Sequence, residues 1–341
     1  MKYDSASGRP EVTLTSYISQ KSSQTLLDYL SKRFTYLNEA QWRERIDSGK
    51  VLVNDRPASE GQPLRAGDEV AYTTSAWEEP PVDPHYRVIY EDEALLAVAK
   101  PAPLPVHAIG AYFNNTLMSL LRRDIPAAEN YHLVHRLDSE TSGVLLIAKD
   151  KAVLKKLIWQ WENNKVQKTY RAIVFGVFPE RKTQVDAPIL DQKGGPIRMK
   201  GGVDFAKGKP SITNFKRLET KVVSRATLLS PDFSADKSSG QACRFSLIEA
   251  KPVTGRTHQI RAHLEFLGFP IVGDKLYAGN DETFLHFYEH DFDEWVRARV
   301  LLPRTALHAY RLEISHPNTG KPLALEAPFS PDLQEFWSGL G

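Results

Sequence analysis

Apolar and polar positions along the chain follow two regimes. Near the N-terminus the spacing is helical: Leu26, Leu27, Leu30 and Phe34 recur at intervals of three and four in TLLDYLSKRF, and Trp42 and Ile46 share one face of NEAQWRERIDSG. Asn38 is placed to cap the second helix and Gly49 to stop it. KVLVNDRPASEG reads as a strand and a turn, and LRAGDEVAY as a turn and a strand. TTSAWEEPPVDPHY at 73–86 then combines acid with three prolines, each of which removes a backbone donor. The pattern predicts a small unit over 17–75, a linker over 76–86 and a larger domain over 87–341.

Beyond the linker, short strand-like runs outnumber helical ones. YRVIYEDEALLAVAKP, GVLLIAKD, KTYRAIVFGVF, SITNFKRLE, CRFSLIEAKPV and ALHAYRLEISHP suit strands. DKAVLKKLIWQWEN, with Asp150 as its N-cap, TGRTHQIRAHLEFLG, DETFLHFYEHDFDEWVRARV and SPDLQEFWSGL suit helices. Strand and helix do not alternate strictly, which argues against a doubly wound parallel sheet. The expectation is an α+β fold on a mixed, mainly antiparallel sheet with flanking helices, preceded by a small α/β domain. SPDFSADKSSGQA at 230–242 reads as a polar surface loop.

Composition narrows the class. With 341 residues, 41% hydrophobic and 25% charged, the chain has the make-up of a globular protein large enough for one big domain and a small one. It has no run of about 18 apolar residues, the N-terminus lacks the apolar core of a signal peptide, and a lone Cys243 excludes an internal disulfide or a thiolate cluster. A cytoplasmic, monomeric protein without a membrane partner is expected. The net charge of +2 conceals two basic stretches. Lys149, Lys151, Lys155, Lys156, Lys165, Lys168 and Arg171 form one, and Lys193, Arg198, Lys200, Lys207, Lys209, Lys216 and Arg217 the other. Both are candidate phosphate-facing surfaces as well as ordinary solvated ones.

Three constellations carry chemistry. In HRLDSETSG at 135–143, Asp138 precedes an apolar strand, where burial favours the neutral acid. Arg136 or another nearby arginine can reverse that, leaving an oriented carboxylate fit to act as nucleophile or base; the plainer reading is an Arg–Asp pair bracing a turn. Glu140 lies about 7 Å from Asp138 on an extended chain, the separation of an inverting glycosidase pair, although nothing apolar beside it raises its pKa. In KPVTGRTHQIRAHLEFLG a helix opening at Thr254 or Gly255 would crowd Arg256, His258, Gln259, Arg261 and His263 into its first turns. His258 and His263 are five apart and diverge, whereas a zinc helix needs four, so no metal is expected. In QKTYRAIVFG, alternation puts Lys168 and Tyr170 on one face, with the ring available to pack or to stack on a base.

Taken together these residues resemble the RluA family of pseudouridine synthases. His135-Arg136-Leu137-Asp138 with Thr141-Ser142-Gly143 matches its signature, Lys168-Thr169-Tyr170 its second motif, and Gly255-Arg256-Thr257-His258-Gln259-Ile260-Arg261, continued by Pro270-Ile271-Val272-Gly273-Asp274, its third. LHAYRLEISHPNTGKPL is similar to the family's closing strand. The N-terminal unit, with Lys32, Arg33, Arg43 and Arg45 on its helices, resembles the small S-four-like RNA-binding domain, although Leu26-Leu27-Asp28 stands where that domain commonly has Arg-Leu-Asp.

The resemblance implies isomerisation of a flipped-out uridine in ribosomal or transfer RNA, without cofactor or metal. Asp138 would start the detachment of the base, by attack on the sugar, addition to the base or removal of a sugar proton. Tyr170 would stack on the uracil, Arg261 would hold Asp138 ionised, and Arg136 would fill the gap the uridine leaves. His135, Lys168, Arg256 and His258 would contact RNA. The alternatives are a non-catalytic RNA-binding protein of the same fold and a hydrolase using Asp138 and Glu140.

Overall fold

The computed structural model describes residues 11–18, 24–34, 37–75, 79–109, 112–192, 197, 199–224 and 242–340. Two compact units divide at Pro80 and Pro81. The first holds α1 (Leu26–Arg33), α2 (Glu39–Asp47) and an antiparallel sheet of β1 (Glu11–Tyr17), β2 (Val51–Val53), β3 (Arg56–Pro57) and β4 (Glu69–Ser75) in the order β1-β4-β2-β3. Local chemistry sets the helix ends. The Thr25 hydroxyl accepts from Asp28 N, and Asn38 and Gln41 close a reciprocal capping box. Asn54 and Asp55 both take positive φ, which makes the tight turn between β2 and β3. Leu26, Leu30, Trp42 and Tyr72 fill the core, the two rings meeting edge to face at 5.1 Å.

The unit begins earlier than the helical pattern indicated, because β1 pairs with β4 from Glu11 onward. Of its four helical cations, Arg43 is paired with Glu39 and Glu60, and Arg45 donates to Thr73 O. Lys32 and Arg33 remain exposed.

The second unit is built on one sheet of ten strands. These are β5 (Arg87–Glu91), β6 (Leu95–Lys100), β7 (His132–Leu133), β8 (Ser142–Ala148), β9 (Gln167–Phe175), β10 (Thr183–Asp186), β13 (Ile212–Ser224), β14 (Ala242–Pro252), β15 (Leu307–Ser315) and β16 (Pro322–Glu326); β11 (Ile189–Leu190) and β12 (Gly202–Val203) pair separately. The main path runs β10-β13-β14-β9-β15-β8-β6-β5, with β16 on β15 and β7 on β8. All the pairings are antiparallel except β15 with β8. This is the mixed, mainly antiparallel α+β fold the sequence indicated.

The continuous apolar runs LLAVA and VLLIA are explained by burial on both faces of the sheet. Leu96, Val98, Leu145 and Ile147 pack on one side with α3 (Leu117–Asp124); Leu95, Ala97, Val144, Leu146 and Ala148 pack on the other with α4 (Lys151–Glu162). Asp150 caps α4 as expected, its carboxylate accepting from Ala152 N and Val153 N.

Two helices differ from their sequence pattern. The run 281–300 breaks into α6 (Asp281–His290) and α7 (Glu294–Val300), because Asp291 has φ +64 and Asp293 caps a new helix through Val296 N. The helix expected from Thr254 or Gly255 begins later, as α5 (Gln259–Phe266). The Gln259 side chain is the reason: its Oε1 accepts from the Thr254 hydroxyl and Arg256 N, and its Nε2 donates to Ile212 O and the Thr213 hydroxyl. These bonds tie 254–258 to β13 as a loop and put His258 in the left-handed region at φ +54. A final helix, α8 (Pro331–Gly339), closes the chain. Most of the polar loop expected at 230–242, together with Lys193 and Arg198, lies outside the described residues.

The parallel contact of β8 with β15 joins the two halves of the sheet and pairs His308 with Ser142 and Ala309 with Gly143. Gly143 has φ +115, and a Cβ there would lie 2.2 Å from Ala309 O. Strain and overlap together predict that Gly143→Ala costs about 2–5 kcal/mol. Gly268→Ala, at φ +79 with open space around it, should cost only about 1–2 kcal/mol. Urea unfolding of both variants checks this; equal losses would show that the seam tolerates a side chain.

Candidate active site

The loop 135–141 leads into β8 at the seam, and the register brings other motifs to the same place. Tyr170 on β9 pairs with Ala309 of β15, the residue that also faces Gly143. Pro252 ends β14 beside the loop that enters α5. The result is a cleft of about 320 Å³ whose walls include Arg136, Asp138, Lys168, Tyr170, His258 and Arg261. All three constellations therefore meet in space.

Asp138 is the only acidic side chain lining this cleft among the described residues, and its side chain is 27% exposed. Its Oδ2 accepts from Arg261 Nη1 at 2.9 Å, with His258 Nε2 at 3.8 Å. Its Oδ1 has no hydrogen-bond partner among the described residues. Desolvation pushes the carboxyl toward the neutral acid, but Arg261, His258 and Arg136 together outweigh it and hold Asp138 below the usual carboxylate range.

Arg261 is itself fixed by a second carboxylate. Its Nε and Nη2 donate to the two oxygens of Asp274 at 2.7 and 2.9 Å, and the Tyr277 ring lies 4.9 Å from its guanidinium carbon. Asp274 is fully buried and also accepts from Leu276 N and Tyr277 N. One cation thus serves two anions, so the cluster keeps a net negative charge and Asp138 is steadied without being neutralised. Burial works against the guanidinium charge, but Asp274 and Asp138 raise its pKa further.

The remaining candidates divide by what already holds them. Arg136 is exposed and makes no hydrogen bond or ion pair among the described residues, so it does not brace Asp138 directly. Lys168 is half-buried and reaches Thr254 O at 3.4 Å; Arg256 is exposed and reaches Pro210 O at 3.3 Å. His258 Nδ1 lies 3.2 Å from the Tyr277 hydroxyl, and burial followed by the Arg261 charge lowers its pKa to about 4. Tyr170 packs between two of the hydrophobic cores, and burial first, then Asp138, pushes its hydroxyl up, so it stays a phenol.

His135 also lines the cleft, and much of it is held by the protein. Its Nε2 accepts from Leu146 N at 3.1 Å and its ring stacks on Trp161 at 5.3 Å, so one ring nitrogen and one face are taken by the protein. Its pKa falls to about 4 through burial and then Lys168. Glu140 cannot serve as the second carboxylate of a hydrolase. One of its oxygens is ion-paired to Lys275 and the other accepts from Thr305 N at 2.9 Å and the Thr305 hydroxyl at 2.8 Å, so both are engaged by the protein. Among the described residues, no group of three or more His, Cys, Asp or Glu side chains could hold a metal ion, and no helix is long and apolar enough to cross a membrane.

Residue-level reading of the sequence passed over two positions. Asp274 was visible only as the end of a motif, without a task. Lys100 closes the apolar strand β6 fully buried, and donates to Pro101 O, Leu104 O and Ser139 O at 2.7–3.1 Å. Burial, then Arg304, lowers its pKa to about 7, yet its three donors meet three carbonyls, one of them next to Asp138. A lysine ending an otherwise apolar strand was the available signal. The basic stretches are partly consumed by internal pairs, including Lys149 with Glu91, Lys200 with Asp281 and Lys209 with Asp191.

A family model described as RNA pseudouridylate synthase matches residues 94–266. The chain is 32% identical over 329 residues to the ribosomal large subunit pseudouridine synthase D of Neisseria meningitidis serogroup A, spanning 93% of this chain and 77% of that one. It is 31% identical over 340 residues to the ribosomal large subunit pseudouridine synthase C of Escherichia coli K12, spanning 95% of each. In structure it is similar to human RNA pseudouridylate synthase domain containing 1, with a TM-score of 0.54 over 77% of this chain and 97% of that one; at 24% identity the likeness bears on fold alone.

Two outcomes follow from this electrostatic arrangement. Asp274→Asn removes the charged partner of a buried guanidinium and should cost about 3–5 kcal/mol of unfolding free energy, measured in urea. The imidazoles of His135 and His258 protonate near pH 4 when folded but near 6.5 when unfolded. The unfolded chain therefore binds more protons between those values, and stability falls as pH drops through that window. Each imidazole contributes about 1.4 kcal/mol per pH unit within it. Urea unfolding at pH 7, 6 and 5 reads the slope, and a flat profile would mean that neither ring is held neutral.

Proposed function

The chain belongs to the RluA family of RNA pseudouridine synthases, isomerases of uridine in RNA, and from that premise we propose that Asp138 opens the reaction on a uridine of large-subunit ribosomal RNA. The observation that carries the role of Asp138 is its ion pair with Arg261, which Asp274 grips on the other side. A carboxylate so held is anionic and oriented, and it keeps one oxygen for the substrate. In the isomerisation the bond from the ribose to the uracil nitrogen breaks and the base turns. Its fifth carbon then joins the ribose, with the proton on that carbon lost and one gained on nitrogen. Nothing is oxidised or reduced.

Tyr170 lines the same cleft and gives the uracil a flat surface to stack on. Because burial keeps it a phenol, it offers a donor hydroxyl rather than a second anion beside Asp138. A uridine reaches this cleft only when extruded from its stack, which costs a few kcal/mol that stacking and backbone contacts must offset. Arg136, exposed and without a partner among the described residues, fills the space it vacates. Lys168, Arg256 and His258 meet the RNA around the cleft. We further assign the N-terminal unit, here from Glu11, as an S-four-like RNA-binding domain that acts through Lys32 and Arg33, joined by the linker 76–86 to the catalytic domain over 87–341. The names of the relatives, both ribosomal large subunit enzymes aligned over most of their lengths, favour ribosomal over transfer RNA as the substrate.

The test maps pseudouridines in ribosomal and transfer RNA from cells with and without the gene. A large-subunit site should vanish on deletion, return with the wild-type protein and stay absent with Asp138→Asn, which should still fold and bind RNA. Restoration by Asp138→Asn would remove Asp138 from the chemistry, and loss of a transfer-RNA site alone would overturn the substrate.

A further inference from the structure

A second cavity adjoins the first across the same loop. It shares Arg136, Leu137, Asp138, Thr257, His258 and Arg261 with the Tyr170 cleft, and at about 540 Å³ it is the larger of the two. Its other walls come from segments the first cleft does not use, among them Ile109, Gln192, Met199 and the α6 residues Phe284 and Phe287. The isomerisation of one uracil leaves this space without a task.

The lining indicates what it takes. Ile109 and Met199 are large apolar side chains, 52% and 58% exposed, at the wall of a cavity that opens on the reaction centre. Phe284 and Phe287, three apart on α6, add two rings, and Lys275 Nζ stands 4.8 Å from the Phe287 ring centre. On the polar wall the carboxylates of Asp138, Glu140 and Asp191 are matched by Arg136, Arg261 and Lys275, and all three carboxylates are already ion-paired, to Arg261, Lys275 and Lys209. Gln192 is exposed, and its amide has no partner among the described residues. Flat apolar contacts, an amide without a partner among the described residues and a wall of balanced, mostly paired charge suit a neutral aromatic group with hydrogen-bonding edges. A nucleobase has that chemistry.

Its position indicates which base. Since the cavity abuts Asp138, its occupant lies beside the flipped uridine on the same strand, and extrusion of that uridine strips its neighbours of a stacking partner. We propose that the second cavity receives the unstacked base adjacent to the target uridine, with Met199 lying on its face and Gln192 reading its edge. The two side chains then set which sequence context is accepted. This rests on the reading of Asp138 as the reaction centre.

The test is a double-mutant cycle between protein and RNA. The substrate is a large-subunit ribosomal RNA fragment carrying the uridine that wild type modifies, intact or with an abasic residue 5′ or 3′ to it. Wild type should lose about tenfold in kcat/KM on one of the two abasic fragments, in line with the worth of one stacked base. The variant combining Met199→Ala and Gln192→Ala should unfold at the wild-type temperature, lose about tenfold on intact RNA, and lose no more on that abasic fragment. Wild type indifferent to both abasic residues, a variant as fast as wild type on intact RNA, or losses that multiply would each overturn the subsite. An active Asp138→Asn would instead sink the reading of the catalytic residue, because the cycle is scored on the activity of wild type whichever group starts the chemistry.

Discussion

One guanidinium bridging two carboxylates governs this molecule. Arg261 meets Asp274 with two parallel hydrogen bonds and Asp138 with a third, all in surroundings that oppose charge. Burying Asp138 alone would neutralise it, and burying Arg261 with Asp138 alone would give a neutral, self-satisfied pair. The second carboxylate changes the balance: it compensates the arginine in full and leaves Asp138 anionic, steadied at one oxygen. Much of the surrounding structure places these three groups. Gln259 fixes where α5 begins, the turn at 274–277 closes on Asp274 through two backbone N–H groups, and Tyr277 covers the guanidinium.

The loop bearing Asp138 is held in place by a set of charged and polar groups around it. Lys100 takes Ser139 O, the Glu140 carboxylate is tied to Lys275 and Thr305, and Arg304 holds Glu140 O while gripping Asp332 and Ser330. His135 supports the other side by accepting from Leu146 N. Each is a charged or polar group at the rim of a sheet buried on both faces. Each has at least one backbone partner, several with side-chain partners besides. The loop's rigidity is thus built from polar bonds, while Gly143 lets β8 approach β15 closely enough to seat the loop against β9 and Tyr170.

Some of this was legible from local pattern. The strands LLAVA and VLLIA, the caps at Asn38 and Asp150, and the α+β class follow from apolar spacing and short-range hydrogen bonding, which depend only on neighbours in the chain. The break at Asp291 and the late start of α5 escaped that reading. The helical pattern continues through both places, and a positive φ or a side chain reaching to β13 overrides it. For Asp138, local reading offered Arg136, two residues away, as the partner, and only the resemblance of whole motifs pointed to Arg261.

What the sequence by itself determined is the inventory: an aspartate before an apolar strand, a tyrosine on an alternating strand, an arginine-bearing helix, and a family signature that unites them. Beyond the Arg261–Asp138 pair that the family resemblance implied, tertiary structure decided which groups pair. It set Asp274 on the far side of Arg261, turned His135 and Glu140 into supports, and left Arg136 without a partner among the described residues. The physical reason is range. Periodicity and capping act over a few residues and can be read along the chain, whereas an ion pair between positions 138 and 261 exists only once the order of a ten-stranded sheet has brought its ends together.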